Sequence, residues 1–472
     1  MPAVIDYRLV SGLGLALACQ QALADELWAD ASTYFQQGSL SGLTRNFYLN
    51  RDFRNGGANR RSGTVNGYRA EWDQGLTLDY ISPFTTGVVG LGFDAHLYAG
   101  LKLDSGRGKT GTNLLHVNND GDVANEYSVG GGALKLKYRE TVLKYGSMEL
   151  RTSPVFLTDG GSGRLLPQTV TAWQLISRDL QPLTFDAAHI TAGKAPSENR
   201  NDSTLRSLYG ATETDTVDYL SLNYEQGAVK GYLSTQRAED LWRQDYLGFR
   251  YLPALVEGLT PTLNFSMYRT VDIGAAHGGP IDNLTWSFAP GVKFGAHSLM
   301  LAYQKVQGDT PFDYMAFRDG QTTVAQLANN VQLSDFNAPN DRSWQVRYDY
   351  DFSARGVPGL RFMIRYMQGQ GGKGSDIEPY SSYYPLGFRD GGRHWERNIE
   401  MQYVVQDGPA KNLSLRARYG VHRGNSAEPR GDMDEIRLIT EFPFKLLMAP
   451  LAMLHQSCFA KNSCRAMSVR LP

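Results

Sequence analysis

Apolar and polar side chains alternate with a period of two in many segments of the chain after residue 25. In one segment, Leu134, Leu136 and Tyr138 alternate with basic residues, and the same pattern runs from Trp344 to Phe352. Alternation of this kind places one face of a strand in an apolar medium and the other in a polar one. These segments run about eight to eleven residues, longer than most soluble strands and close to the length that crosses a bilayer at a tilt. The pattern therefore predicts membrane-crossing β-strands.

The connections between these segments alternate between tight turns, such as Asp407-Gly408, and long loops. The long connections are rich in Gly, Asp and Ser and comprise residues 105–128, 153–172, 309–340 and 369–392. Short turns at one end and long loops at the other are typical of an outer-membrane barrel, whereas a soluble sandwich or propeller would not need such long strands. We therefore expect an all-β fold, a transmembrane antiparallel β-barrel. Sharing residues 25–447 among 16–18 strands leaves about 24–26 residues for each strand and its connection, as in porins.

Composition excludes two alternatives. The net charge is −1, and phosphate binding needs a clear basic excess, so nucleic acid is not an expected partner. The chain has no apolar run of 18 residues, so a membrane-spanning helix is not expected either. Barrel strands are compatible with this composition because only half of their residues need to be apolar.

The N-terminus indicates export. Arg8 precedes a short apolar stretch, residues 9–19, and Ala22-Leu23-Ala24 provides an A-x-A cleavage pattern. We interpret residues 1–24 as a signal peptide and residues 25–447 as the exported barrel. The three cysteines, Cys19, Cys458 and Cys464, all lie outside residues 25–447, so a disulfide scaffold is not expected.

No catalytic signature is present, and the eight histidines are scattered without metal-ligand spacing, so neither a cofactor nor a metal is expected. Asn118, Asp120 and Asp122 resemble the start of a calcium loop, but no Glu follows at the required offset. We interpret this segment as a solvated loop and leave calcium binding open. A barrel enzyme and a surface adhesin that uses the long loops remain alternatives to a channel.

Arginines recur on the polar face of the predicted strands. In residues 360–367, Arg361 and Arg365 alternate with apolar residues and therefore point inward. The same parity applies to Arg347, Arg416, Arg418 and Arg437. The guanidinium fork pairs bidentately with carboxylates, so the group favours a path for anions. For any single arginine, pairing with a wall carboxylate such as Glu396, Glu400 or Glu435 is an equal alternative.

A series of short motifs follows in order along the chain. They are LTRNFYLNRDF at 43–53, EWDQG at 71–75, LKLDSG at 101–106, RLLPQT at 164–169, GDTPFDY at 308–314, SDFN at 334–337, GLRFMIRY at 359–366, the block 394–424, and DEIRLI at 434–439. Together they cover residues 25–447 and resemble the OprD family of outer-membrane channels. The motifs HWE at 394–396 and DGPAK at 407–411, with GDTPFDY, are nearer the branch that carries small monocarboxylates.

The resemblance implies an 18-stranded barrel in the outer membrane of a Gram-negative bacterium. Its loops would fold inward into a narrow eyelet, with residues 154–170 as the constriction loop, and small carboxylates would diffuse passively along a basic ladder. By resemblance, the ladder comprises Arg45, Arg151, Arg178, Arg347, Arg361, Arg365, Arg416, Arg418 and Arg437. The acidic side of the eyelet corresponds to Asp309 and Asp313.

The resemblance also implies partners and shows two departures. The expected partners are small carboxylates, outer-membrane lipid and lipopolysaccharide, and the barrel assembly machinery, and the solute and a homotrimer stay open. Asp73 stands where the family more often has Gly. Residues 448–472 extend beyond the last family strand as an atypical tail.

Overall fold

A computed structural model describes residues 34–59, 66–158, 163–254, 258–318 and 324–447. Within these ranges, eighteen antiparallel strands form one continuous sheet, and the sheet closes because the first strand, Ser39–Phe53, pairs with the last, Met433–Leu447. The predicted transmembrane antiparallel β-barrel of eighteen strands is thus confirmed. The expected signal peptide (1–24) and the atypical tail (448–472) lie outside the described residues.

The strands of the described chain fall into a barrel and a small inner sheet. The eighteen barrel strands are β1 Ser39–Phe53, β2 Tyr68–Ile81, β3 Gly90–Asp104, β4 Glu126–Tyr138, β5 Thr141–Met148, β6 Thr169–Ser177, β7 Leu183–Lys194, β10 Val217–Gln226, β11 Val229–Ala238, β12 Trp242–Tyr251, β13 Leu259–Asp272, β14 Asp282–Phe294, β15 His297–Gln307, β17 Arg342–Asp351, β18 Leu360–Gly372, β19 Gly392–Val404, β20 Ser414–Gly424 and β21 Met433–Leu447. The inner sheet comprises β8 Leu205–Ser207, β9 Glu213–Thr214 and β16 Met315–Phe317. Two short 3-10 helices span Phe352–Arg355 and Tyr384–Leu386.

No helix among the described residues is long and apolar enough to span a membrane.

The period of two sorts each strand into an outer and an inner face. Large apolar side chains such as Leu134, Leu233 and Leu301 are 69%, 61% and 51% exposed on the outside. On the same strands, lumen-facing residues such as Gln236 and Gln304 are fully buried. This arrangement is the reverse of a soluble core, and it matches a barrel whose outer surface contacts lipid.

The barrel has a short-turn end and a long-loop end. Two-residue turns at 227–228 and 295–296 close hairpins at the short-turn end, and each begins with a glycine of positive φ, Gly227 at 58° and Gly295 at 55°. Tight hairpin turns need that conformation, which glycine adopts without a Cβ clash. At the other end, the long connections are 105–125, 149–168, 195–216, 308–341 and 373–391.

The lumen contains a hydrophobic core that the loops supply. Phe312, Met315 and Phe317 from connection 308–341 are buried against wall residues such as Trp242 and Tyr268. These contacts need the loops to fold into the barrel, as expected for constriction loops. Burying their apolar side chains stabilises the inward position by the hydrophobic effect.

We predict that the two faces of β13 respond oppositely to charge. Phe265→Arg, near the middle of the outer face, should reduce the free energy of unfolding by about 2–4 kcal/mol because it places a cation against lipid. The neighbouring lumen-facing variant Asn264→Arg should change that free energy by less than about 1 kcal/mol. Urea titration of the heat-modifiable folded band measures both values, and an equal loss in the two variants would contradict the assigned faces.

Candidate functional site

Six neighbouring strands carry most of the predicted arginines on one side of the lumen. In the order in which they pair, these strands are β17, β18, β19, β20, β21 and β1. The predicted arginines on these strands lie on the inner face, because residues of the opposite parity such as Val346, Tyr366 and Leu438 are exposed on the outer face. We call the following set the basic wall: Arg45, Arg51, Arg347, Arg361, Arg365, Arg416, Arg418 and Arg437.

Strand register arranges this wall in successive rungs. Residues that oppose one another across neighbouring strands form each rung, and successive rungs are about 7 Å apart because they differ by two residues. The rungs are Arg361–Gln402–Arg416, Glu400–Arg418–Arg437, and Arg365–Asn398–Gly420–Glu435–Arg51. Arg347 lies opposite Arg365 and extends the third rung.

Glu400 of β19 is shared by two arginines of β20. Its Oε2 atom lies 2.8 Å from Arg418 Nε, and its Oε1 atom lies 3.8 Å from Arg416 Nε. Both arginine side chains are partly accessible from the lumen, with exposures of 22% for Arg416 and 16% for Arg418. One carboxylate therefore balances two cations that solutes can reach.

Glu435 of β21 is shared in the same way, but behind the surface of the wall. Its Oε2 atom lies 2.7 Å from Arg51 Nη2, and its Oε1 atom lies 2.6 Å from Arg437 Nε. The Glu435 carboxylate is completely buried, and Arg437 is only 5% exposed. This triad is therefore a structural part of the wall.

The arginines of β17 and β18 each have one nearby acceptor. The partners are Asp349 for Arg347 at 2.7 Å, Asp351 for Arg361 at 3.6 Å, and the side-chain oxygen of Asn398 for Arg365 at 2.7 Å. Arg365 thus donates to a neutral amide, while the Glu396 and Glu400 carboxylates act on its charge from a greater distance.

Arg45 fastens the loop at 149–168 to the wall. Its Nη1 atom donates to the carbonyls of Arg164 and Leu165, at 2.9 and 3.0 Å, and its Nη2 atom lies 2.6 Å from Glu441 Oε1. Gly75 on β2 makes room for this loop, since a Cβ there would lie 3.0 Å from Leu165 Cγ. The predicted constriction loop therefore contacts the lumen wall, within its described residues 154–158 and 163–170.

Connection 308–341 reaches the wall from the other side. Arg437 Nη2 donates to the carbonyl of Gln332 at 3.3 Å, and the Leu333 N–H donates to Glu396 Oε1 at 2.9 Å. The two loops meet where the Val324 N–H donates to the Leu157 carbonyl at 2.9 Å. Together they frame an eyelet beside the basic wall.

Two predicted ladder residues lie away from the basic wall. Arg151 extends from loop 149–168 and lies 2.6 Å from Glu149, and its side chain is 68% exposed. Arg178 is exposed in the turn between β6 and β7, at the short-turn end. The structure therefore brings together seven of the nine predicted arginines and leaves these two outside the group.

The two predicted acidic residues occupy different surroundings. Asp309 is exposed at the start of connection 308–341. Asp313 is buried, and its carboxylate accepts the backbone N–H groups of Tyr209, Gly210 and Tyr314 at 2.8–2.9 Å. Burial raises the pKa of the Asp313 carboxyl, and the three N–H donors oppose that shift. Asp313 thus joins two loops, and an effect of either carboxylate on solutes stays a prediction.

Sequence reasoning missed Arg51 and Glu441. Arg51 has the same parity as Arg45 on β1, so extending the parity argument to that strand would have found it. Glu441 pairs with Arg45 only through the closure between β1 and β21, which local pattern does not show. Within the described ranges, no group of three or more His, Cys, Asp or Glu side chains is placed to hold a metal ion.

Comparisons with known proteins agree with this architecture. Residues 32–446 match the family described as "outer membrane porin, OprD family". The chain is 41% identical over 452 residues to Porin D of Pseudomonas aeruginosa, which covers 93% of this chain and 99% of that protein.

Solved structures agree as well. The crystal structure of Pseudomonas aeruginosa OccK9 (OpdG) matches with a TM-score of 0.78 and 34% identity, covering 88% of this chain and 100% of that chain. The structure of Pseudomonas aeruginosa OpdK with vanillate matches with a TM-score of 0.76 and 31% identity, again covering 88% and 100%. These relatives indicate a channel for small solutes in the Gram-negative outer membrane rather than an enzyme. The chain belongs to the OprD family of outer-membrane porins.

Proposed function

We propose that this porin passes small carboxylate-containing solutes selectively along the basic wall, by passive diffusion. The observation that carries the proposal is the sharing of one carboxylate, Glu400, by the lumen-accessible Arg416 and Arg418. Two guanidinium groups offer ten N–H donors, whereas one carboxylate has about four acceptor positions. Donors are therefore left over at this rung for the carboxylate of a solute.

The spacing of the rungs suits transfer rather than storage. A carboxylate that leaves Arg418 can reach Arg416 about 7 Å further along the strand, and then Arg361 across the same rung as Arg416. Each charge-assisted hydrogen bond contributes about 1.5–3 kcal/mol, which the lost hydration of the carboxylate offsets in part. Several shallow positions in succession allow a solute to enter and to leave.

The partial neutralisation of the wall supports the same conclusion. Glu400 lowers the positive potential at Arg416 and Arg418, so a solute anion meets a weaker attraction than two free guanidinium groups would give. The wall still carries more arginines than paired carboxylates, so anions are concentrated beside it, and salt weakens the effect.

The class of solute follows from the chemistry of the wall. The guanidinium fork is complementary to one planar carboxylate, and the related OpdK structure contains vanillate. We propose that small carboxylates of this kind also pass through the present channel, including the monocarboxylates that the sequence motifs indicate. Association into a homotrimer and recognition by the barrel assembly machinery stay predictions.

Replacing both arginines of β20 tests the path directly. Arg416→Ala with Arg418→Ala should lower the flux of a monocarboxylate several-fold, because the donors are lost and Glu400 is left unbalanced in the lumen. A neutral solute of equal size should pass at the original rate or faster. Proteoliposome uptake of the two solutes measures the effect, and a salt gradient across a planar bilayer should show a shift towards cation selectivity.

Arg243→Ala is the matched control, since Arg243 lies on distant β12 and pairs with Asp245 at 3.2 Å. It should leave both fluxes unchanged. A folded double variant that carries carboxylates at the original rate contradicts the proposal.

Removing the shared carboxylate should have the opposite effect. Glu400→Gln keeps the size of the side chain but frees both guanidinium groups, so a solute carboxylate should stay bound several-fold longer. The dwell time of carboxylate-induced current blockades in single channels measures this residence. Glu140→Gln, in an exposed turn, should leave the dwell time unchanged, and a shorter dwell time in Glu400→Gln would refute the role of Glu400.

A further inference from the structure

Two buried histidines face each other at the long-loop end of the barrel, outside the basic wall. His394 of β19 is 5% exposed and His422 of β20 is fully buried. His394 Nδ1 lies 3.0 Å from His422 Nε2. The sequence places them 28 residues apart, and only the hairpin of β19 and β20 brings them together.

The outer nitrogen of each ring contacts a different loop. His394 Nε2 lies 3.4 Å from Asp341 Oδ2, at the end of connection 308–341, and the Phe336 ring of the same connection stacks on His394 at 4.2 Å. His422 Nδ1 lies 2.8 Å from the carbonyl oxygen of Gly431, in connection 425–432. We call Asp341, His394, His422 and Gly431 the histidine relay.

The number of protons in the histidine relay follows from its contacts. A carbonyl and an ionised carboxylate only accept hydrogen bonds, so with Asp341 ionised His394 Nε2 and His422 Nδ1 each carry a proton. The contact between His394 Nδ1 and His422 Nε2 needs one more proton to be a hydrogen bond. Two neutral imidazoles carry only two protons, so the complete relay has three protons and one positive charge.

The charged groups around the relay can balance that charge. Across the β19–β20 pairing, Glu396 lies opposite His422. The residues opposite the two histidines on the outer neighbouring strands are uncharged. They are Gly369 of β18, opposite His394, and Met433 of β21, opposite His422. The charged neighbours of the two rings are Asp341, Glu396, Glu428, Asp432 and Arg430.

The relay holds a loop that borders the basic wall. Connection 308–341 places Gln332 against Arg437 and Leu333 against Glu396, nine and eight residues before Asp341. Arg430 of connection 425–432 also donates to the Leu333 carbonyl, at 2.5 Å. Losing the relay would therefore remove one of the contacts that hold the end of connection 308–341, beside backbone bonds such as that from the Val306 N–H to the Asp341 carbonyl, and would loosen the contact of this connection with connection 425–432.

We propose that the histidine relay is a pH-sensitive latch. It holds the described end of connection 308–341, residues 324–341, in place only while the two histidines together carry a single positive charge. At lower pH a second charge makes the inner contact a clash between two N–H groups. At higher pH the inner contact becomes a clash between two lone pairs. The latch acts on the pore of the proposed function. It depends only on the loop that lines this pore, and it is independent of which solute passes.

Single-channel recording of the full chain in planar bilayers tests the latch in potassium chloride alone. Across a pH range that extends well below and well above the ordinary imidazole pKa, closures of the open pore should be rarest at an intermediate pH and several-fold more frequent on both sides. A pH profile without a minimum overturns the proposal. Because the current is carried by simple ions, the result does not depend on whether carboxylates are selected.

His422→Gln separates the latch from a merely structural role. The glutamine amide can donate to neutral His394, or accept from charged His394, without titrating itself, so the closure frequency should become low and independent of pH. His422→Leu should give frequent closures at every pH. His189→Gln, on the exposed surface of β7, should keep the wild-type profile, and a His422→Gln profile identical to wild type would refute the relay.

Discussion

The closed hydrogen-bond ladder is the constraint on which the rest of this structure depends. In lipid, every backbone N–H and C=O must find a partner within the protein, and closing the sheet through β1 and β21 provides one for the two strands that would otherwise be edges. Together with the hairpin turns, the closed ladder fixes the register of every strand. A shift by one residue would turn Arg416 and Arg418 towards lipid and Leu415 and Ala417 towards the lumen. The position of the basic wall is therefore a consequence of the ladder.

The same closure creates a lumen that the loops must fill without leaving buried polar groups unpaired. Arg45 and Arg437 contribute here, since they donate to carbonyls of loop residues Arg164, Leu165 and Gln332. Their low exposure removes them from direct contact with most solutes. Within one set of arginines, some hold the eyelet in place and others face the path, so stability and selectivity depend on neighbouring residues of the same type.

The sequence indicated the faces of the strands because a period of two persists through each one. Arg347, Arg365 and Arg418 were placed on the lumen side by parity alone, and the structure agrees. The sequence indicated Glu400 and Glu435 as wall carboxylates, but the arginine that each one pairs with could not be predicted, because Glu400 opposes Arg418 only through the register that turn 405–413 sets.

Contacts made by the loops could not be predicted from the sequence, for a different reason. The backbone of Tyr209 and Gly210 meets Asp313 from another connection, about a hundred residues away in the chain. Neither hydrophobic periodicity nor a motif reports such a contact. By family resemblance, Asp309 and Asp313 were both assigned to the acidic side of the eyelet. In the structure, Asp309 is exposed and Asp313 is buried.

Charge balance connects the wall to the loops that frame it. Seven of the eight wall arginines in the described chain share five ion-paired carboxylates, namely Glu400, Glu435, Glu441, Asp349 and Asp351, and the eighth, Arg365, donates to the Asn398 amide. A fully neutralised wall would not attract anions, and unpaired arginines at these distances would repel one another and hold anions too long to release them. Where the loops cover the wall, as at Glu435, the carboxylate that two guanidinium groups share is itself buried. Where the wall faces the open lumen, as at Glu400, one carboxylate serves two guanidinium groups, so the surplus of positive charge lies where a solute can reach it.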